Sequence, residues 1–110
     1  MDNFYSYKKC VKELKDKLKL AYPVSIRRVK MPRGVDGDCC LQRKKFYIRI
    51  DKGLKESEAI LVLIHEYAHA RSWNHLHDAM DDQEFFDTSH NAVWGVAYSE
   101  CYSIWEKTLD

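Results

Sequence analysis

The run Ile64-His65-Glu66-Tyr67-Ala68-His69 sets two imidazoles four residues apart with a carboxylate directly after the first. In an α-helix, residues four apart lie on one face about one turn from each other, so both rings can point at a single metal ion while Glu66 projects from the edge of that face. Imidazole nitrogen suits zinc, and a carboxylate beside the metal that does not bind it can act as a base. The H-E-x-x-H pattern is therefore expected to hold Zn2+ through His65 and His69, with Glu66 as general base on a metal-activated water and later as proton shuttle. With five His and seven Glu in 110 residues, shuffling would produce the pattern about once in a hundred trials, so the surrounding sequence has to carry the assignment.

A catalytic zinc takes three protein ligands and keeps a fourth position for water. The candidates downstream are His75, His77, Glu84, Asp87, His90 and Glu100. His75 and His77 follow His69 so closely that the helical rise carries them away from the metal, and they suit a helix C-terminus instead. His90 comes after a segment long enough to reverse direction and opens a second helical pattern, so it is the expected third ligand, with Glu100 next in order. A donor to the developing oxyanion is also needed, and Tyr98 or Tyr67 could supply it, although a Tyr in a helical aromatic stripe is more often simply core.

The elements that must position these residues can be read from periodicity. Phe4, Tyr7, Val11, Leu14 and Leu18 recur at three- and four-residue spacing with lysines between, an amphipathic helix from Phe4 to Leu20 that Pro23 closes. Val24–Lys30 reads as a strand, residues 31–38 as a turn-rich loop leading to Cys39–Gln42, and Lys45–Ile50 as a half-buried strand with Phe46, Ile48 and Ile50 on one face and Tyr47 and Arg49 on the other. After Asp51-Lys52-Gly53, a helix is expected from Glu56 to about Asn74. Its stretch Ile60–Ile64 is apolar around the whole circumference, which predicts a central position between the sheet and other helices. A polar segment, 75–89, precedes a last helix from about His90 to Leu109, with His90, Trp94, Tyr98 and Tyr102 four apart. Together these predict an α+β fold, a minimal zincin-like domain: a small antiparallel or mixed sheet packed on a central H-E-x-x-H helix, with N- and C-terminal helices flanking it.

At 110 residues the chain has room for one modest core and is read as one domain over 1–110. No apolar run approaches the roughly 18 residues of a membrane span, and residues 1–7 do not resemble a signal peptide, so an intracellular, cytoplasmic protein without a membrane partner is expected. The cysteines Cys10, Cys39, Cys40 and Cys101 form no C-x-x-C pair and read as reduced packing residues. Residues 1–50 carry 14 Lys and Arg against 5 Asp and Glu, and residues 51–110 carry 4 against 12. Solvated faces that partly complement each other explain this most simply, and a basic patch for nucleic acid is the sharper alternative. The acidic run Asp78, Asp81, Asp82, Glu84 and Asp87 matches no calcium-loop pattern and reads as a solvated border of the cleft that biases it toward basic substrates.

Three segments carry a family resemblance: Ile48-Arg49-Ile50-Asp51, the helix from Ile60 to Trp73 with His-Glu-Tyr-Ala-His-Ala, and Ser89-His90-Asn91-Ala92-Val93-Trp94-Gly95-Val96-Ala97-Tyr98. Over residues 24–105 the chain resembles SprT-like zinc metallopeptidases of the compact kind found in phages and prophages, which for a phage protein would mean the host cytoplasm. The resemblance implies His65, His69 and His90 as zinc ligands with Glu66 catalytic. Asn91 stands where many such proteins have glycine, and no cysteine-rich zinc ribbon is present in these 110 residues. The expected activity is zinc-dependent endopeptidase hydrolysis of a protein or peptide lying extended beside an edge strand, either Cys39–Gln42 or Lys45–Ile50. The competing expectation is a binding module with a structural zinc, contacting nucleic acid or a protein; such a site would use four protein ligands and leave Glu66 without a task.

Overall fold

The computed structural model of the protein describes residues 6–73 and 92–108. Among these, three helices and a three-stranded mixed sheet follow in the order α1 (Tyr7–Lys17), β1 (Val24–Val29), β2 (Gly37–Gln42), β3 (Lys45–Asp51), α2 (Glu56–Arg71) and α3 (Ala92–Thr108), with α2 packed on the sheet and α1 and α3 packed on α2. The fold class is α+β, as expected from the sequence. No helix among the described residues is long and apolar enough to cross a membrane.

Local chemistry accounts for the elements. The Ser6 side chain caps α1 by accepting from the Lys9 amide, and the last turn carries Lys15 and Lys17 against the carbonyl end. α2 places Glu56 and Glu58 in its first turn, and Glu56 also accepts from the Tyr7 amide at 2.7 Å, tying the starts of two helices together. β2 and β3 form a hairpin whose two turn residues, Arg43 and Lys44, have φ of 50° and 63°. That left-handed pair matches the twist of the strands even though neither residue is Gly, Asn or Asp.

The strand order is β1-β3-β2, with β1 parallel and β2 antiparallel to β3. The alternation in β3 is as expected, with Phe46, Ile48 and Ile50 buried and Tyr47 and Arg49 exposed. Of the two proposed edges, however, Lys45–Ile50 is the centre of the sheet and only β2 is an edge. A period-two pattern shows which face is buried but says nothing about which strands sit alongside.

The inner sheet face meets a core formed by Leu14, Leu18, Ile60, Leu63, Ile64, Tyr67, Ala97 and Cys101. α2 is central, packed on β2, β3, α1 and α3. Its apolar run is not buried all round: Ile60, Leu63 and Ile64 are fully buried, whereas Leu61 is 44% exposed. The four cysteines are free thiols; Cys10 and Cys101 are buried.

The loop of residues 30–36 joins two strands that flank β3, so it must pass over the end of that strand. Asp51 holds it there. Its carboxylate accepts from the Met31 amide at 3.0 Å, its own amide donates to the Asp36 carbonyl at 2.8 Å, and its carbonyl accepts from Arg28 at 3.1 Å. Arg28 also donates to the Leu54 carbonyl at 3.0 Å and lies over the Tyr7 ring. One arginine thus fixes the ends of two strands just before α2 begins.

Candidate metal centre

His65 and His69 stand on α2 as the helical spacing requires, both half-buried. Their Nε2 atoms converge to 3.3 Å. Two ligand nitrogens bonded to one tetrahedral zinc at about 2.0–2.1 Å are separated by about 3.3–3.4 Å, a spacing this pair matches and that an N–H···N hydrogen bond between the two rings also gives. The donor set fits zinc as well, since neutral imidazole is among its commonest ligands. Trp94 of α3 packs against both rings, with centroids 5.2 Å from His65 and 5.6 Å from His69, and Tyr98 follows 5.1 Å from Trp94. The aromatic stripe of α3 therefore faces the histidine pair, and its wall restricts the rotamers the imidazoles can take.

Glu66 is 9% exposed. It lines a cleft of about 510 Å³ together with His65, Tyr98, Leu61, Val62 and the loop residues Gly34–Gly37. Burial, and then the nearby Asp38 carboxylate, push its carboxyl up to about 7. Asp38 is itself held by Arg49, whose Nε donates to it at 2.9 Å and whose second nitrogen bonds the other oxygen. The Cys39 thiol is pushed up by burial and by the Glu66 charge. A carboxyl poised near neutrality in a cleft is the kind of group that accepts and returns protons.

Gly37 lets β2 come this close. A Cβ there would lie 2.7 Å from Val62 Cγ1 and 2.8 Å from the Arg49 carbonyl, and 3.6 Å from Glu66 Cγ. Any larger residue forces the edge strand away from the helix that carries the motif. Gly34, with φ of 85°, turns the loop that forms the cleft wall.

Several residues proposed from sequence fall elsewhere. Tyr67 is not an oxyanion donor: it is fully buried and its hydroxyl donates toward the Leu18 carbonyl at 2.6 Å and the Leu14 carbonyl at 3.2 Å, closing the end of α1. Glu100 does not join the histidines; it pairs with Arg71 at 3.7 Å on another side of α3. His90, His75, His77, Glu84, Asp87 and the rest of the acidic run lie outside the described residues. Among the described residues no three His, Cys, Asp or Glu side chains cluster as a metal site. Sequence reasoning missed the Gly34–Gly37 wall, for which the signal was a glycine-bearing loop directly before an edge strand.

No family model, curated protein or solved structure matches the chain.

Proposed function

We propose that the protein is a SprT-like, zincin-type zinc endopeptidase, with His65, His69 and His90 as ligands and Glu66 as general base. The convergence of the two Nε2 atoms to 3.3 Å beside a cleft lined by a buried carboxylate carries the reading. His90 stands four residues before Trp94 in the sequence, and the Trp94 ring lies against both imidazoles while Arg71 engages Glu100, which supports His90 over Glu100.

When bound, zinc supplies a Lewis acid that lowers the pKa of water and polarises a carbonyl. His65 and His69 hold their rings in place against Trp94. Glu66, which lines the cleft beside His65, takes the proton from the attacking water and delivers it to the leaving amine. Tyr98, on the cleft wall, is the donor available to the carbonyl oxygen. The edge of β2, which pairs only with β3 among the described residues and begins at Gly37 inside the cleft, offers backbone groups to an extended substrate.

Glu66→Ala is expected to retain zinc and lose peptide hydrolysis by about 100-fold or more. Wild-type cleavage by that variant would remove Glu66 from the mechanism. His90→Ala is expected to lower zinc affinity, and unchanged affinity would move the third ligand elsewhere.

A second reading, a nucleic-acid-binding module, draws on one observation. Tyr47 is exposed on the outer face of the central strand, with Lys45 Nζ 5.4 Å from its ring and the exposed Arg27 on the neighbouring strand. An exposed ring among cations can stack a base. This reading requires salt-sensitive binding of single-stranded DNA that Tyr47→Ala weakens; binding absent at low salt would exclude it.

A further inference from the structure

We infer that Val35, Leu61 and Val62 form a side-chain subsite that selects a bulky apolar residue beside the scissile bond and rejects an acidic one. This rests on the peptidase reading and names the substrate class of the same cleft.

Four large hydrophobic residues are conspicuously exposed among the described residues: Val35, Tyr47, Leu61 and Val96. Single exposed apolar residues are ordinary. Here two of the four, Val35 at 39% and Leu61 at 44%, come from different elements and line one cleft together. Leu61 precedes His65 by four residues and Val62 precedes Glu66 by four, so both lie one turn back along the faces that carry the catalytic groups. That turn is about 5.4 Å, within reach of the side chain next to a carbonyl held at His65 and Glu66. The loop that carries Val35 is pinned by the Asp51–Asp36 and Asp51–Met31 hydrogen bonds, so the wall is preformed. The cleft volume of about 510 Å³ suits a short peptide segment.

Charge sets the second half of the selection. The acidic groups lining the cleft are Asp36 and Glu66, and no Lys or Arg lines it among the described residues. In the metal-free cleft a carboxylate entering there would lose water without gaining a cation, a cost that a leucine does not incur.

The test uses end-blocked peptides identical except for one central residue, Leu, Ser or Asp, titrated into metal-free protein by calorimetry. The Leu peptide should bind about 10-fold tighter than the other two, the size of discrimination a few buried methylenes provide. That preference should shrink to about 3-fold or less in Leu61→Asn and in Val35→Asn. Both positions are exposed, and thermal melts of the variants verify that they fold. Equal affinities for the three peptides, no detectable binding of the Leu peptide, or a preference unchanged in both variants would overturn the subsite. Zinc content and cleavage of the same peptides after metal loading are read separately. Failure of zinc uptake defeats the peptidase reading, while the binding ratio still decides the subsite.

Discussion

The two sides of α2 use the same residue types for opposite ends. On the core side, Ile60, Leu63 and Ile64 are fully buried, and Tyr67 spends its hydroxyl on the carbonyl end of α1. On the cleft side, Leu61 is exposed and Val62 half-buried, two imidazoles converge to 3.3 Å, and Glu66 is buried with its carboxyl pushed toward neutrality. The core side closes its polar accounts within the fold. The cleft side leaves titratable and apolar groups lining an open cleft, and that difference separates the two sides more sharply than residue type does. Tyr67 and Tyr98 make the point in one pair: both were plausible oxyanion donors by type, and only Tyr98 lines the cleft.

The largest effect that should separate the two sides is on stability. Leu63→Ala is expected to cost about 2–5 kcal/mol in denaturant unfolding, because it empties a fully buried position. Leu61→Ala should stay within about 0.5 kcal/mol. Comparable losses at the two positions would erase the comparison.

A second test uses pH. In the folded, metal-free protein the Glu66 carboxyl is raised from the ordinary 4.5 to about 7 by burial and then by Asp38. The folded chain therefore binds a proton more tightly than the unfolded one. The stability from this group is complete below about pH 4.5 and is lost as pH rises through about 7, on the order of 3 kcal/mol. Chelated wild-type protein should show this decline and chelated Glu66→Gln should not; parallel pH profiles would contradict it.

The smallest effect comes from the tyrosine pair. Tyr67→Phe should lower stability by about 1–2 kcal/mol, since it leaves a buried carbonyl without its donor, and leave the cleavage rate unchanged. Tyr98→Phe should do the reverse, slowing cleavage about 10-fold or more with little change in unfolding. Interchanged outcomes would reassign the two hydroxyls.

Much of this was legible in the sequence because it rests on local periodicity. The His65–His69 spacing, the alternation of Phe46, Ile48 and Ile50, and the central apolar run of α2 each follow from the repeat of one element. What was not legible depends on how elements meet. The hairpin was hidden because Arg43 and Lys44 adopt left-handed angles without glycine as a marker. The central place of β3 depends on a parallel partner that residue pattern does not name. The roles of Gly37 and Val35 appear only when β2 and its preceding loop lie against α2, and Tyr67 could be told from Tyr98 only by what each hydroxyl touches.

The most direct test of the central claim is the zinc content of protein purified without added metal, measured by elemental analysis for wild type, His65→Ala and His69→Ala. The account predicts about one zinc per wild-type chain and nearly none in either variant, with unchanged helical circular dichroism. A wild-type value near zero that dialysis against zinc does not restore, or full occupancy in both variants, would contradict it.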